Sequence, residues 1–591
     1  MRTNIITLIA LLLNAVVLLG QSFNPSRSDT GALTGIPQES VFLQYNESLV
    51  FSGDRLLYKF YCLDKINRAL TNISKIGYVS LINKEGEAVF THKVRLTSGT
   101  GYGDFFVPTS IPTGSYKLLG YSEWMKNFGS DNFFQANIHI INPYQSTSET
   151  YLEQPLDSSQ PIVSKIRKSN STMAVEDTES AYVSVGLDKS VAGQREKITL
   201  DIVGKDESVN AGSYAISVRR VDSVPSPTQI SSEAFFKNFL KEERGRVALN
   251  KDETNIPEIR GEVISGTIVN KETKLPVQGQ RISLSLPGED FLLKVATSDD
   301  KGRFWFIVDR EYDNNRAALE VLSDDWESYE LKMDAEKIDV EQTEFEDFVL
   351  SKRMKEYILE KSIQNQIENA YQEIKSDSIL VADHVEPFYR KFATVYDLDD
   401  YTRFNRLDET IVEVVDQVSI RKLNNGERVF EVRPEEGFTS HSLLPMVFVD
   451  GLFIKRHEDF MDFSAKKIKT ISFSRDKIIV GAKTFQGVIS FKTIEGGFYQ
   501  DFYTPHTTSL ELFKPEAQKE YFTQSYSGDK SRERVPDFRN QLLWEPNLDL
   551  SKGSKEIVFY TSDLGGTYEL VLEGFTSTGK PVSVNRTFFV R

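Results

Sequence analysis

The chain has 591 residues, more than one hydrophobic core organises; at about 150 residues per domain it divides into about four. Apolar residues make up 39% and aromatics 11%, which excludes a disordered chain, and 39 Phe with 24 Tyr suit half-buried pleated surfaces. A net charge of −16 repels polyanions, so the chain as a whole is no binder of nucleic acid or anionic lipid.

The N-terminus carries Arg2, an apolar run over residues 5–19 broken only by Thr7 and Asn14, and then Gly20-Gln21-Ser22. This is the layout of a signal peptide over residues 1–21, and it falls short of the roughly 20 apolar residues a bilayer span takes. No Cys follows the run, which excludes lipoprotein processing, and no later stretch is apolar enough for a transmembrane helix. The mature chain is therefore expected in the periplasm or at the outer membrane, soluble or peripherally attached. Cys62 is the single cysteine, so no intrachain disulfide forms; within a β-like run it reads as a small buried residue.

In chain order, residues 38–142 contain about seven strand-like runs separated by turn signals such as Ser52-Gly53-Asp54 and Asn83-Lys84-Glu85-Gly86, the pattern of an antiparallel sandwich. The succession YNESLVFSGDRLLYKFY, VSLINKEGEAV and GYGDFFVPTSIPTGSYKLLGY resembles the MG2 domain of macroglobulin-type proteins. Residues 143–180 read as a linker. Residues 181–255 hold three further strand runs and a short helix around Phe235 and Phe239, and VSVGLDKSVAGQREKITLDIVGKD again resembles a macroglobulin-like module. Residues 256–350, with GEVISGTIVNKETKLPVQ and the turn Asp299-Asp300-Lys301-Gly302 before Phe304, resemble the carboxypeptidase regulatory-like domain, a β-sandwich without catalytic residues of its own.

Residues 351–400 form a helical connector. Met354, Tyr357, Ile358, Ile367, Ala370, Tyr371 and Ile374 recur at three and four residues, which predicts an amphipathic helix packed on a neighbouring domain. Residues 401–500 contain a short helix over 408–415, a hairpin over 426–440, an apolar strand ending in Val449-Asp450-Gly451, and a final strand with Gly487-Val488-Ile489. This resembles the plug domain of TonB-dependent outer-membrane receptors. Such receptors follow the plug with about 22 strands of about 9–11 residues each; the residues after Gly497 cannot supply them. The plug-like motif is then structural, and the connection from Lys455 to Lys469, with Arg456, His457, Lys466 and Lys467, is the expected partner surface. Residues 501–591 read as a charged connector and a last macroglobulin-like sandwich opened by Leu543-Trp544-Glu545-Pro546.

No constellation carries recognisable chemistry. Gly574 to Lys580 satisfies the P-loop spacing, but Pro581 replaces the Mg²⁺-holding hydroxyl, so a hairpin is expected. His92, His139, His384, His441, His457 and His506 show no metal-ligand spacing, and the thioester sequence Cys-Gly-Glu-Gln of protease-trapping macroglobulins is absent. The turn at Asp299 and the acids Asp397, Asp399 and Asp400 are incomplete Ca²⁺ loops. The reading is thus a mainly β chain of tandem antiparallel sandwiches with one small α/β module and a long amphipathic helix. It is expected to be a non-enzymatic envelope protein that needs no cofactor and binds or scaffolds a protein partner, an outer-membrane protein among the classes considered. The alternatives are an accessory of TonB-dependent uptake and a hydrolase with a site assembled from distant residues.

Overall fold

The structure is a computed structural model that describes residues 38–146, 151–152, 177–222, 224–240, 255–312, 314–335, 338, 343–380, 386–436, 442–502, 504–526 and 535–591. The signal-like residues 1–21, most of the 143–180 linker, and His384 and His441 lie outside these.

The first module is an eight-stranded sandwich. One sheet has the order β1 (Glu39–Tyr45), β3 (Arg55–Asp64), β6 (Thr100–Phe106). The other has the order β2 (Leu49–Phe51), β8 (Phe134–Ile141), β7 (Gly114–Tyr121), β4 (Ile76–Ile82), β5 (Ala88–Arg95). Its core holds Phe42, Tyr58, Phe60, Leu81, Leu118 and Ile138, with Cys62 fully buried among them. Burial pushes the Cys62 thiol pKa up, which keeps it an inert packing group.

Strands β9 (Val183–Leu187), β10 (Val191–Ala192), β11 (Lys197–Gly204) and β12 (Ser213–Arg220) do not complete a module locally. Helix α1 (Ser232–Phe239), capped by Ser231 Oγ on the Ala234 N–H at 3.2 Å, follows them. Its Phe235 packs 5.3 Å from Phe42 of the first core.

The chain then enters an inner sandwich. One sheet is β16 (Arg303–Val308), β13 (Glu262–Asn270), β18 (Tyr329–Met333); the other begins β15 (Leu292–Thr297), β14 (Arg281–Leu286), β17 (Arg316–Val321). Helix α2 (Lys355–Ala370) leads on to β19 (Ser378–Ile379) and the α/β module. That module's sheet has the order β20 (Thr394–Asp397), β25 (Ile468–Val480), β26 (Lys483–Thr493), β23 (Met446–Val449), β24 (Leu452–Phe453). It carries α3 (Leu407–Val414), the hairpin β21 (Val418–Lys422) and β22 (Arg428–Val432), and the short α4 (Glu458–Met461). Strands β23 and β26 are parallel, the rest of the sheet antiparallel.

The return path closes each module in reverse. Strand β27 (Thr507–Glu511) pairs with β17 and completes the inner sandwich, and β28 (Lys519–Glu520) pairs with β19. Strands β29 (Gln541–Leu548), β30 (Ser554–Tyr560), β31 (Gly566–Phe575) and β32 (Pro581–Val590) then join β9–β12. The sheets are β10-β32-β31-β12-β29 and β30-β11-β9. Strands β9–β12 and β29–β32, expected in separate modules, therefore form one sandwich with one core containing Leu200, Ile216, Leu570 and Val584. The turn at Thr576 to Lys580 is a hairpin, closed by Thr576 N–H on the Lys580 carbonyl at 2.9 Å.

The first and inner sandwiches meet through buried charge. Lys93 Nζ lies 2.6 Å from Glu262, whose other oxygen accepts from Tyr312 at 2.6 Å. Glu258, 1% exposed, accepts from Tyr78 Oη at 3.2 Å and from the Val263 N–H at 2.9 Å. Burial pushes its carboxyl from 4.5 up to about 8, against the pull of the Val263 N–H and Lys93.

Two outcomes follow. Removing residues 541–591 unpairs β11 and β12 and exposes their buried faces, so the truncated chain is expected to be insoluble; a soluble fragment with a cooperative unfolding transition would contradict the shared sandwich. For Glu258, the folded state keeps a proton between pH 4.5 and 8 that the unfolded chain has released. Its contribution is full below 4.5 and is lost as pH rises to 8, at up to about 1.4 kcal/mol per pH unit. Glu258→Gln, which keeps the neutral shape, is expected to flatten this part of the profile of urea midpoint against pH.

Candidate functional site

The best-defined local device in the α/β module is the turn between β23 and β24. Asp450 and Gly451 have φ values of 47° and 80°, the left-handed pair that a two-residue hairpin of this twist requires. The turn sets Phe448 opposite Phe453 and Val449 opposite Leu452. The Asp450 carboxylate accepts from the Thr493 N–H at 2.7 Å, from Thr493 Oγ1 at 2.5 Å and from the Phe498 N–H at 3.0 Å. It thereby ties the end of β26 and the start of helix α5 (Phe498–Asp501) to the turn.

The same turn faces the inner sandwich. The Asp450 carbonyl accepts from the Gly288 N–H at 2.9 Å, and a Cβ on Gly451 would lie 2.5 Å from both the Gly288 carbonyl oxygen and Phe291 Cβ. Phe291 packs 4.7 Å from Phe448, and Phe453 donates its N–H to Ser285 Oγ at 3.1 Å. On β26, Gly487 has φ 88°, and a Cβ there would lie 2.7 Å from the Ser474 carbonyl; Val488 and Ile489 beside it are fully buried. The six motif residues form the fold of the module and its seat on the inner sandwich.

The connection from Lys455 to Lys469 is only partly a surface. Lys455 Nζ donates to the Val321 and Ser323 carbonyls at 3.1 and 2.6 Å, and burial lowers its pKa. Arg456 pairs with Glu427 at 2.6 Å. His457 is buried, its Nδ1 accepts from the Phe430 N–H at 3.1 Å, and burial pushes it down to about 4, which keeps it neutral. Lys455 and His457, expected on the partner surface, are taken up in packing as α4 turns the chain back onto β22 and β17, while Arg456 stays half-exposed in its pair. Lys466, Lys467 and Lys469 remain exposed on the far side of the connection.

Helix α2 packs on the first sandwich through Tyr357 and Ile358, which lie against the cluster of Leu49, Phe51 and Ile141. Its deepest residues are polar: Lys361, Ser362, Gln364 and Asn365. Lys361 Nζ lies 3.5 Å from Asp54, Asn369 Nδ2 donates to the Gly53 carbonyl at 3.1 Å, and Tyr357 Oη donates to Asp222. Just past the helix, Lys375 joins Glu368 at 2.7 Å to Asp537 at 3.6 Å. Ala370 and Ile374, expected on the packed face, are exposed, as are Leu359 (59%) and Ile363 (49%) one turn apart. Tyr144, joined to Ser362 by a 3.2 Å hydrogen bond, and Leu152 and Val349 near the helix start are exposed too.

A second cluster had no local signal because its members come from three segments. His506 stacks edge-on to Trp326, with Nε2 3.0 Å from Asp459 Oδ2 and 3.9 Å from Glu320 Oε1. Burial raises the Glu320 pKa, and Thr507 Oγ1 donates to it at 2.8 Å. Among the described residues no group of three or more His, Cys, Asp or Glu side chains is arranged to hold a metal ion. Asp299 is occupied by the Lys301 and Arg303 N–H groups, and Asp397 by the Asp399 N–H, as ordinary turn acceptors.

No protein-family model matches the chain, and no curated protein matches it. Among solved structures, trypsin-activated alpha-2-macroglobulin from Escherichia coli aligns over 96% of this chain and 42% of its own, at 10% identity and a TM-score of 0.22. A mutant of Salmonella alpha-2-macroglobulin aligns over 96% of this chain and 40% of its own, at 8% identity and a TM-score of 0.23. The chain spans about two fifths of the length of those proteins. TM-scores of this size fall below those of a shared overall fold, so the likeness assigns neither activity nor partner.

Gly451→Ala is expected to cost at least about 2 kcal/mol, from the left-handed backbone and the clash with Gly288. Asp450→Ala leaves the buried Thr493 N–H without its acceptor and is expected to cost about 1–3 kcal/mol. Urea denaturation measures both; a change within about 0.5 kcal/mol, the range of ordinary surface substitutions, would remove the turn from its structural role.

Proposed function

We propose that this chain is a non-enzymatic binding or scaffolding protein of the cell envelope, exported by its signal-like N-terminus and engaging a protein partner in the periplasm or at the outer membrane. The observation that carries the reading is the outward apolar face of α2. Leu359 and Ile363, one turn apart, stand in solvent, while Lys361 and Asn369 of the same helix are spent on internal contacts. Apolar side chains exposed together on one turn of a helix are a surface for a protein partner. The exposed Lys466, Lys467 and Lys469 form a second, charged surface suited to an acidic partner segment. An open groove of about 330 Å³ beside the first sandwich is lined by Lys117, Phe133, Phe235 and Phe239 among others. The plug-like pattern of the α/β module supports placement near outer-membrane receptors only by resemblance, and uptake remains the secondary reading.

A photo-reactive residue placed at position 363 is expected to give a discrete envelope adduct in cells, abolished by Leu359→Glu. The same probe at position 466 is expected to give an adduct reduced by Lys467→Glu and Lys469→Glu. Absence of adducts from both positions would overturn the reading.

A further inference from the structure

Lys59 on β3 is the most completely buried lysine of the described residues, at 1% exposure, and it points out of the first sandwich into the closing strand of another. Its Nζ donates to the Pro546 carbonyl, to the Tyr214 carbonyl at 3.3 Å and to Asn547 Oδ1 at 3.3 Å, and it sits 5.2 Å over the Tyr61 ring. Burial pushes its ammonium down to about 7, with the field of Glu545 opposing, so a neutral amine is accessible near neutral pH. The strand it meets is distorted at this point. Pairing of β12 with β29 slips between Tyr214 opposite Leu548 and Ile216 opposite Glu545, a bulge that contains Pro546 and Asn547. A bulge re-aims side chains, and here it brings the Asn547 carboxamide onto the lysine.

The Tyr102 hydroxyl donates to the Lys519 carbonyl at 3.1 Å. The Asn547 N–H is taken by Glu545 Oε1 at 3.0 Å. A buried amine and a carboxamide therefore meet at hydrogen-bond distance, and Asn547 itself reaches the exposed rim of the junction.

We propose that Lys59 and Asn547 are the partners of a self-formed isopeptide bond that fastens the first sandwich to the outer one. The lone pair of neutral Nζ attacks Asn547 Cγ, forming the N–C bond, while the bond from Cγ to Nδ2 breaks. The proton released by Nζ passes to the departing nitrogen. One amine and one primary amide give one secondary amide and one ammonia, with no oxidant or reductant. The ammonia leaves through the exposed rim, and its dilution into solvent draws the exchange forward. The bond would close a loop across a sequence separation of 488 residues.

Denaturing intact-mass spectrometry of the purified full chain tests this directly. The wild type is expected to be lighter than its sequence by one ammonia, and proteolysis is expected to release a branched peptide joining β3 to β29. Lys59→Met and Asn547→Ala are expected to restore full mass. Full mass in the wild type after prolonged incubation at mildly alkaline pH would overturn the proposal whether or not the variants fold. So would a mass loss that persists in Asn547→Ala or that yields no branched peptide, since a cyclised asparagine elsewhere gives the same loss.

Discussion

The structure depends on β12 finding partners that are more than 300 residues away. It is an inner strand, with β31 on one side and β29 on the other, and every backbone donor and acceptor along it that the ladders use is matched by the last strands of the chain. Until those strands arrive, Ile216 and Val218 have no core to enter. Everything between them, the inner sandwich and the α/β module inside it, is an insertion whose two ends must return to one place. The closing of that loop costs chain entropy, which rises only slowly with loop length, so nesting is tolerable once the inserted modules hold their own ends together. Strand β27 does this for the inner sandwich by pairing with β17 on the way back.

Contacts between modules set buried polar groups beside apolar packing, as where Phe575 of β31 enters the first core against Phe42 and Tyr61. The first sandwich touches the inner one through Lys93, Glu258 and Glu262, and the outer one through Lys59, Tyr61 and Gln44. Tyr61 Oη donates to the Glu573 carbonyl at 3.2 Å, and Gln44 donates to the Ala215 carbonyl at 3.4 Å. Breaking one member of such a set leaves a buried charge or donor unmatched, which is costly, so these contacts fix one relative placement more sharply than apolar contact of equal area. Where apolar packing does join modules, at Phe291 and Phe448, the Asp450 to Gly288 hydrogen bond fixes the register beside it.

Much of the individual strand content was legible because alternation and turn residues act locally. The Asp450-Gly451 pair shows this most clearly, since positive φ at two successive positions is demanded by the turn itself. The merging of strands β9–β12 with β29–β32 was not legible: each half shows sandwich-like strands, and nothing in either half states that its partner strands lie beyond two insertions. The Lys455 connection was misjudged for a related reason. Lysine and histidine in a polar stretch read as solvated, but the Val321 and Ser323 carbonyls and the Phe430 N–H that take them up lie on other elements. The His506, Asp459 and Glu320 cluster was invisible for the same cause, with its members on three segments.

Helix α2 shows why periodicity alone does not orient a helix. The apolar positions recur at helical spacing and place Tyr357 and Ile358 inward, and the same side of the helix brings Lys361 and the Tyr357 hydroxyl to Asp54 and Asp222. Those acids sit where burial has already stripped their water: it raises the Asp54 pKa, and Glu47 beside it is pushed up to about 8, against the pull of Lys361. Turning the helix to bury Leu359 and Ile363 would gain about 1.5–3 kcal/mol for each side chain fully covered, but would leave those carboxylates without their cation and phenol. Removing one partner of a buried pair costs about 3–5 kcal/mol. The polar residues therefore share the interior with Tyr357 and Ile358, and Leu359 and Ile363 are left to solvent by the same balance.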